Sequence, residues 1–302
     1  MGLVSIVVVS WNSARYLPRC LDGIRAQTHR DLEVIAVDNA SSDDSASSFE
    51  RVIRNDTNRG FSAAVNQALA VAQGEFVLLL NPDCFLAPEY IERLLPVFDD
   101  PSVGAATGLL MRAEGDAVDT AGIRMTRTGR HLDITVAPRE RVEVFGVSGA
   151  AAMYRMSFLR DVAIDGEIFD EDFFAYREDA DLAWRGRLFG WRAVCEPRAL
   201  AQHVRRVTPE ARRELPADIN MHSVKNRFLL RAKNEGWYLA LRNAPFEFAR
   251  DVLVILAALT IERTSLPAFG WLWRNRARIR AKRREIQRRR NVSDRELARW
   301  FR

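Results

Sequence analysis

Residues 76–83 read Phe76-Val77-Leu78-Leu79-Leu80-Asn81-Pro82-Asp83, five apolar residues that stop abruptly at a polar turn. A continuous apolar run of this length is what a strand covered on both faces requires, and such strands belong to parallel sheets. Residues 4–9 form a largely β-branched run, 32–37 a second, and 51–54 a short third strand. Helical stretches are expected between them, over 14–26 and over the Ala-rich 61–72. Strands separated by helices imply an α/β fold with a mostly parallel, Rossmann-like sheet and right-handed crossovers. Ligands of such sheets bind beyond the carboxyl ends of the strands, so the residues just after each strand hold the functional information.

Those residues are polar. Asp38 closes the second strand and runs into the cluster 39–45, while Asn81-Pro82-Asp83 closes the fourth. Past Pro88 the pattern gives another helix, a strand over 103–110, and an irregular region over 113–143 that reads as surface hairpins or a mobile loop. A strand rich in small residues is expected over 144–154, a helix over 176–189 and a short strand over 191–195. Glu178, Asp179 and Asp181 open that helix, and His203 follows a later strand. After Pro216 the pattern is helical to the end, with breaks at Gly236, Pro245 and Pro267.

Asp83 projects from the rim of the sheet directly after an apolar strand. Pairing with a hard divalent cation relieves the desolvation of such a carboxylate, and these ions favour a few carboxylates plus substrate phosphates. Glu178 and Asp179 enjoy the helix dipole as a structural matter. Functionally, one of two adjacent carboxylates can serve as a general base while the other positions it. Asn58-Arg59-Gly60-Phe61 opens a helix whose free N–H groups, with Arg59, suit a phosphate. It is not a Gly-x-Gly-x-x-Gly fingerprint, and the chain has neither a Walker loop nor a nucleophile elbow, which disfavours a dehydrogenase, a P-loop enzyme or a serine hydrolase.

Taken in order, five segments resemble the family-two glycosyltransferases of the GT-A fold, with most likeness to the bacterial rhamnosyltransferase-like branch. They are 7–12 (Val-Val-Val-Ser-Trp-Asn), 37–43, 58–66, 80–83 (Leu-Asn-Pro-Asp) and 174–185. The likeness covers residues 3–205. It implies a nucleotide-sugar site built from Ser10, Asn12, Asp38, Asn39, Asn58, Arg59, Asn81 and Asp83, with Asp38 at the nucleobase or ribose. Asp83 would be the metal-binding acid of an Asp-x-Asp element whose first acid is here Asn81, and His203 the late metal or diphosphate contact. Val204-Arg205-Arg206-Val207 follows His203 where the family usually has Gly and Ser. The implied cofactor is Mg2+ or Mn2+. Asp179 would be the catalytic base, supported by Glu178, in a single inverting displacement from a dTDP- or UDP-linked sugar, rhamnose by branch resemblance. The acceptor would be a cell-envelope saccharide or a polyprenyl-linked lipid.

The expected organisation is a GT-A catalytic domain over 1–205, its nucleotide-binding half about 1–100 and its acceptor-binding half about 101–205. A helical C-terminal extension follows over 206–302. A chain of 302 residues that is 48% hydrophobic can build such a core. Cys20, Cys84 and Cys195 lack metal spacing and read as reduced thiols, which points to the cytoplasm. The first dozen residues lack the basic start and cleavage site of a signal peptide, and no apolar stretch reaches the roughly 18 residues of a membrane span.

The net charge of +5 hides an asymmetry, because residues 274–302 carry a net +10 and the remainder −5. Together with the aromatic and apolar helices over 237–273, this basic tail reads as peripheral attachment to an anionic membrane surface, the inner face of the plasma membrane. The competing reading is a solvated tail beside an ordinary helical core or a homodimer face. The tail lacks the regular aromatic interleaving of a nucleic-acid binder, so no nucleic acid is expected. Two rival functions are a sugar nucleotidyltransferase and a non-catalytic carbohydrate- or nucleic-acid-binding protein. The first would need a Gly-rich, cationic loop after strand one, which 11–15 does not provide; the second leaves the acids unexplained.

Overall fold

A computed structural model describes residues 2–205 and 217–302 of the chain. Its strands are β1 (Val4–Ser10), β2 (Leu32–Asp38), β3 (Val52–Arg54), β4 (Phe76–Leu80), β5 (Cys84–Leu86), β6 (Val103–Arg112), β7 (Val118–Thr120), β8 (Ile123–Met125), β9 (His131–Asp133), β10 (Val142–Val144), β11 (Ala151–Arg155) and β12 (Arg192–His203). Ten of them form one sheet with the path β10-β12-β6-β11-β4-β1-β2-β3, β5 joining at β12 and β7 at β6. β3, β2, β1, β4, β6 and β12 run the same way, and β11 and β10 run against them.

The apolar runs explain the burial. In β1 and β4 successive side chains point to opposite faces. Val4, Ile6, Val8, Leu78 and Leu80 enter one core with α1 (Leu17–Arg25) and α3 (Tyr90–Leu94). Val7, Val9, Val77 and Leu79 enter the other with α2 (Phe61–Leu69) and α5 (Glu178–Phe189). Each fully buried Val, Ile or Leu contributes roughly 1.5–3 kcal/mol, so strands covered twice form the most stable part of the chain. They hold the polar residues at their carboxyl ends on a rigid rim.

Several expectations need correction. Of the two readings of 113–143, the hairpins hold and the loop does not: β7 pairs antiparallel with β6 and β8 with β9, but the region is not purely surface, since Ala121, Ile123 and Met125 lie in the core and Asp119 is buried. The expected strand over 144–154 is split into β10 and β11. β12 is twelve residues long rather than 191–195, because a register break between Glu196 and Leu200 lets Pro197 sit in a bulge. α5 starts at Glu178, two residues late, because Tyr176 and Arg177 are left-handed.

Beyond α4 (Met156–Asp161) and α5, the chain is helical as expected: α6 (Ala217–Asn234), α7 (Trp237–Thr260), α8 (Pro267–Arg274), α9 (Arg276–Arg289) and α10 (Asp294–Leu297). The expected boundary after 205, Arg206 and Val207, and Pro216 itself border or lie outside the described residues. Gly236 separates α6 from α7, and Pro267 opens α8, where its missing N–H costs nothing. Pro245 does not break α7, whose residue four positions earlier, Leu241, is 68% exposed, so water can satisfy its freed carbonyl.

The basic tail is docked rather than wholly solvated. Lys282 of α9 is 2% exposed and reaches Glu167 (3.1 Å), Asp170 (2.7 Å) and Asp172 (3.2 Å), while Arg278 pairs with Asp172. Lys233 of α6 bridges Asp170 and Asp181 in the same buried network. The extension is thereby fastened to the segment that precedes α5.

Candidate active site

The ends of β1 and β2 are knit by short polar side chains. Asp38 accepts from the Ser10 hydroxyl (3.0 Å), the Ser41 hydroxyl (2.6 Å) and the Ser41 amide (3.1 Å). Asn12 takes a left-handed conformation (φ 50°), which its side chain tolerates, and its Oδ1 accepts from the Ser42 amide at 2.8 Å. Asn39 joins two loops: its Nδ2 donates to Asn58 Oδ1 (2.9 Å), and its Oδ1 accepts from the Arg59 amide (3.0 Å). Nearly every polar group here has a partner inside the protein, so the loops are held before any ligand arrives.

These loops form one wall of a cleft of about 280 Å³. Trp11, Asn58, Asn81 and Asp83 face Tyr176 and His222 across it. Arg59 is exposed nearby. The start of α2 differs from the expected phosphate cradle. Gly60 N–H donates to Asn58 Oδ1 (2.9 Å) and Ser62 N–H to the Phe174 carbonyl (3.2 Å), so the chain's own acceptors use these donors. Gly60 (φ 85°) is required here, since a Cβ would lie 2.6 Å from the Phe174 ring.

Asp83 lines the cleft and meets His203, which does not line it. His203 Nε2 lies 3.5 Å from Asp83 Oδ1, and its Nδ1 is 2.8 Å from Asp119 Oδ2. Arg205 extends the chain of charges from Asp119 (3.1 Å) to Asp133 (2.7 Å). Burial pulls the imidazole pKa down, but the bonds and charges of Asp119 and Asp83 outweigh it and raise it to about 9. A carboxylate that fixes one ring nitrogen leaves the other aimed, the arrangement by which proteins present histidine to metals. Among the described residues no group of three or more His, Cys, Asp or Glu side chains forms a metal cage. The donor set of Asp83 oxygen and His203 nitrogen therefore fits a divalent ion only when Nε2 gives up its proton in exchange and substrate oxygens complete the coordination.

Glu178 and Asp179 stand at the start of α5, farther round the rim. Asn81 N–H bonds the Ala150 carbonyl (2.9 Å), and the neighbouring Gly149 amide makes a long contact of 3.4 Å to Asp179 Oδ2, so Asn81 and Asp179 meet the same short segment of rim. Asp179 does not line the large cleft; it borders a small void beside Gly146 and Tyr154. Burial and then the Asp179 charge push Glu178 up to about 8. Burial raises Asp179 to about 6, against the Ala180 and Gly149 amides that pull it down. Glu178 Oε2 is buried without a hydrogen-bond partner, as a protonated or strained group would be. The loop before these acids holds Phe174, Tyr176 and Arg177 at φ of 65°, 69° and 72°, a cost of order 1–3 kcal/mol each that clusters at functional sites.

Three residues here escaped sequence reading. Asp119 fell in the region read as a loop. Tyr154, whose hydroxyl is buried unpartnered near the two acids, looked like core. Asn226 sits in Lys225-Asn226-Arg227, whose cations are engaged inside the protein: Lys225 is buried and donates to the Asp172 carbonyl, and Arg227 lies 3.5 Å from Asp251.

The sequence profile described as Glycosyl transferase family 2 matches residues 5–163. An uncharacterized glycosyltransferase of Nostoc sp. is 31% identical over 109 residues, 33% of this chain and 34% of that protein, so the chain aligns with only about a third of that relative's length. The N-acetylglucosaminyl-diphospho-decaprenol L-rhamnosyltransferase of Mycobacterium tuberculosis is 26% identical over 273 residues, covering 79% of this chain and 87% of that one. The fold is similar to that of a mannosyltransferase from Pyrobaculum calidifontis solved in complex with GDP-Man and Mn2+, with a TM-score of 0.58 at 21% identity over 95% of this chain and 84% of that one. The architecture is the GT-A arrangement expected from the motifs.

Proposed function

The chain belongs to glycosyl transferase family 2 and is a glycosyltransferase, and from that premise we propose that it moves a sugar from a nucleotide diphosphate-sugar to a lipid-linked saccharide with inversion at the anomeric carbon. The observation that carries this reading is the Asp83–His203–Asp119 alignment, which starts from the lining of a cleft whose other wall, at Tyr176, lies two residues before a raised carboxylate pair. The polar loops after β1 and β2 hold the nucleotide, with Asp38 at the nucleobase or ribose. Asp83 and His203 would hold a divalent ion, Mg2+ or Mn2+, which when bound would neutralise the diphosphate leaving group. Asp179 accepts the proton of the acceptor hydroxyl as that oxygen attacks opposite the diphosphate. A carboxylate raised to about 6 is still largely ionised at neutral pH and is a stronger base than an ordinary one. Glu178, raised to about 8, stays protonated beside it, so the pair does not accumulate two charges.

The acceptor class rests on the rhamnosyltransferase relative, whose name gives a decaprenol-linked substrate, and a rhamnosyl donor is the matching proposal. The C-terminal helices support a membrane-surface location at the cytoplasmic face. No single described helix is long and apolar enough to span a bilayer, but α7 and the α8 region meet at 110° and expose Leu253, Leu256, Leu259 and Ile261, with exposed Arg263 and Arg274 beside them. Release of nucleoside diphosphate from a panel of dTDP-, UDP- and GDP-sugars with Mg2+ or Mn2+ tests the chemistry; pyrophosphate consumption instead would indicate a nucleotidyltransferase. Flotation of the full chain with anionic vesicles tests the location: salt-sensitive binding supports it, and dimerisation without vesicle binding overturns it.

A further inference from the structure

Helix α6 lies beyond the residues matched by the family profile and beyond the catalytic domain expected from the sequence, yet it reaches the loop that feeds α5. Ile219, His222 and Asn226 follow the i, i+3, i+7 spacing of one helix face. Ile219 and His222 line the cleft, and the His222 ring stacks on Phe174 with centroids 4.6 Å apart. Asn226 is fully buried and directs Nδ2 at the carbonyls of Phe173 (2.9 Å), Ala175 (2.8 Å) and Tyr176 (2.8 Å). A carboxamide nitrogen carries two hydrogens, so these carbonyls share them. They bracket the left-handed Phe174 and Tyr176 and directly precede left-handed Arg177, the residue before α5.

Carbonyl oxygens turned toward one point repel unless a donor lies among them. The Asn226 amide supplies that donor, and the backbone can then keep a shape that Phe, Tyr and Arg disfavour. The same loop sends the Phe174 carbonyl to the Ser62 amide and the Arg177 carbonyl to the Asp181 amide (2.9 Å), so its shape sets both the α2 start and the first turn of α5.

We infer that Asn226 is a positioning residue for the transfer reaction: it holds residues 173–177 in their left-handed form and so fixes the aim of Asp179. This rests on the proposed reading of Asp179 as the base. Loss of the donor would leave donor-sugar binding largely intact, because the loops after β1 and β2 are held by their own side chains.

The test compares the full-length protein with Asn226→Asp, which keeps the shape but removes the donor hydrogens, Asn226→Ala and Asp179→Asn. The readouts are kcat and KM for whichever nucleotide-sugar in the panel is turned over, the pH profile of kcat, melting temperature, and hydrogen exchange over 173–181. Both Asn226 variants are expected to lose about 100-fold in kcat with donor KM within about threefold. The acid limb of the pH profile should move, and exchange over 173–181 should rise about tenfold with β1 and β4 unchanged. Wild-type kcat and pH profile in Asn226→Asp would overturn the inference. So would parallel loss of melting temperature and donor affinity without a change in the profile, the signature of a purely structural residue. If Asp179→Asn remains active, the base reading itself fails; if it is inactive while Asn226→Asp behaves as wild type, only the positioning role fails.

Discussion

The two halves of the rim are built in opposite ways. Around Asp38 and Asn39, where Asn12 and Ala40 are also left-handed, short side chains satisfy one another across neighbouring loops. Around Glu178 and Asp179, three non-glycine residues are left-handed, two carboxylates are raised by burial, and a buried oxygen has no partner. The first half holds its shape from nearby residues; the second keeps its shape because a helix from the other end of the chain supplies a donor. A surface whose polar groups are satisfied suits binding, whereas an under-satisfied one with raised carboxylates suits chemistry that exchanges a proton.

The comparison breaks most sharply if the halves prove interchangeable. Asp179→Asn should reduce transfer about 1,000-fold while nucleoside diphosphate affinity, by calorimetry, stays within about threefold. On the binding side, Asp119→Asn should weaken Mn2+-dependent binding of that nucleotide about 10–100-fold by releasing His203, with little effect in chelator. The seam between the halves is Gly60. Gly60→Ala forces a Cβ onto Phe174 at a positive φ and should destabilise the chain by about 2 kcal/mol in denaturant titration.

The smallest effect concerns pH and stability. Glu178 has a folded pKa of about 8, above its ordinary value of 4.5, so folding favours its protonated form. Its contribution to stability is fully present below about pH 4.5 and is lost as pH rises through 8. Glu178→Gln should therefore melt close to wild type at pH 5 and above wild type at pH 9. Equal effects at both pH values would remove burial as the cause of the raised pKa.

The binding half was legible in the sequence, because continuous apolar runs ending in Asp38 and Asn81-Pro82-Asp83 are local signals of doubly covered strands. The proton-exchanging half was legible only as the acid pair Glu178-Asp179. Its strain was hidden, since Phe174, Tyr176 and Arg177 carry no sequence mark of positive φ such as glycine. Asn226 and Asp119 act over 50 and 84 residues of separation, on Tyr176 and His203, and pattern reading does not reach so far. The basic tail misled in part because Lys282 and Arg278 answer buried acids over 100 residues away rather than solvent.

The central claim is that one half of the rim holds the donor while the other deprotonates the acceptor, so transfer occurs in a single in-line step. Proton NMR of the first product formed from an α- or β-configured nucleotide-sugar reads the anomeric configuration directly. The account predicts the inverted anomer in wild type; a retained anomer would contradict it, because a single in-line displacement cannot retain the configuration.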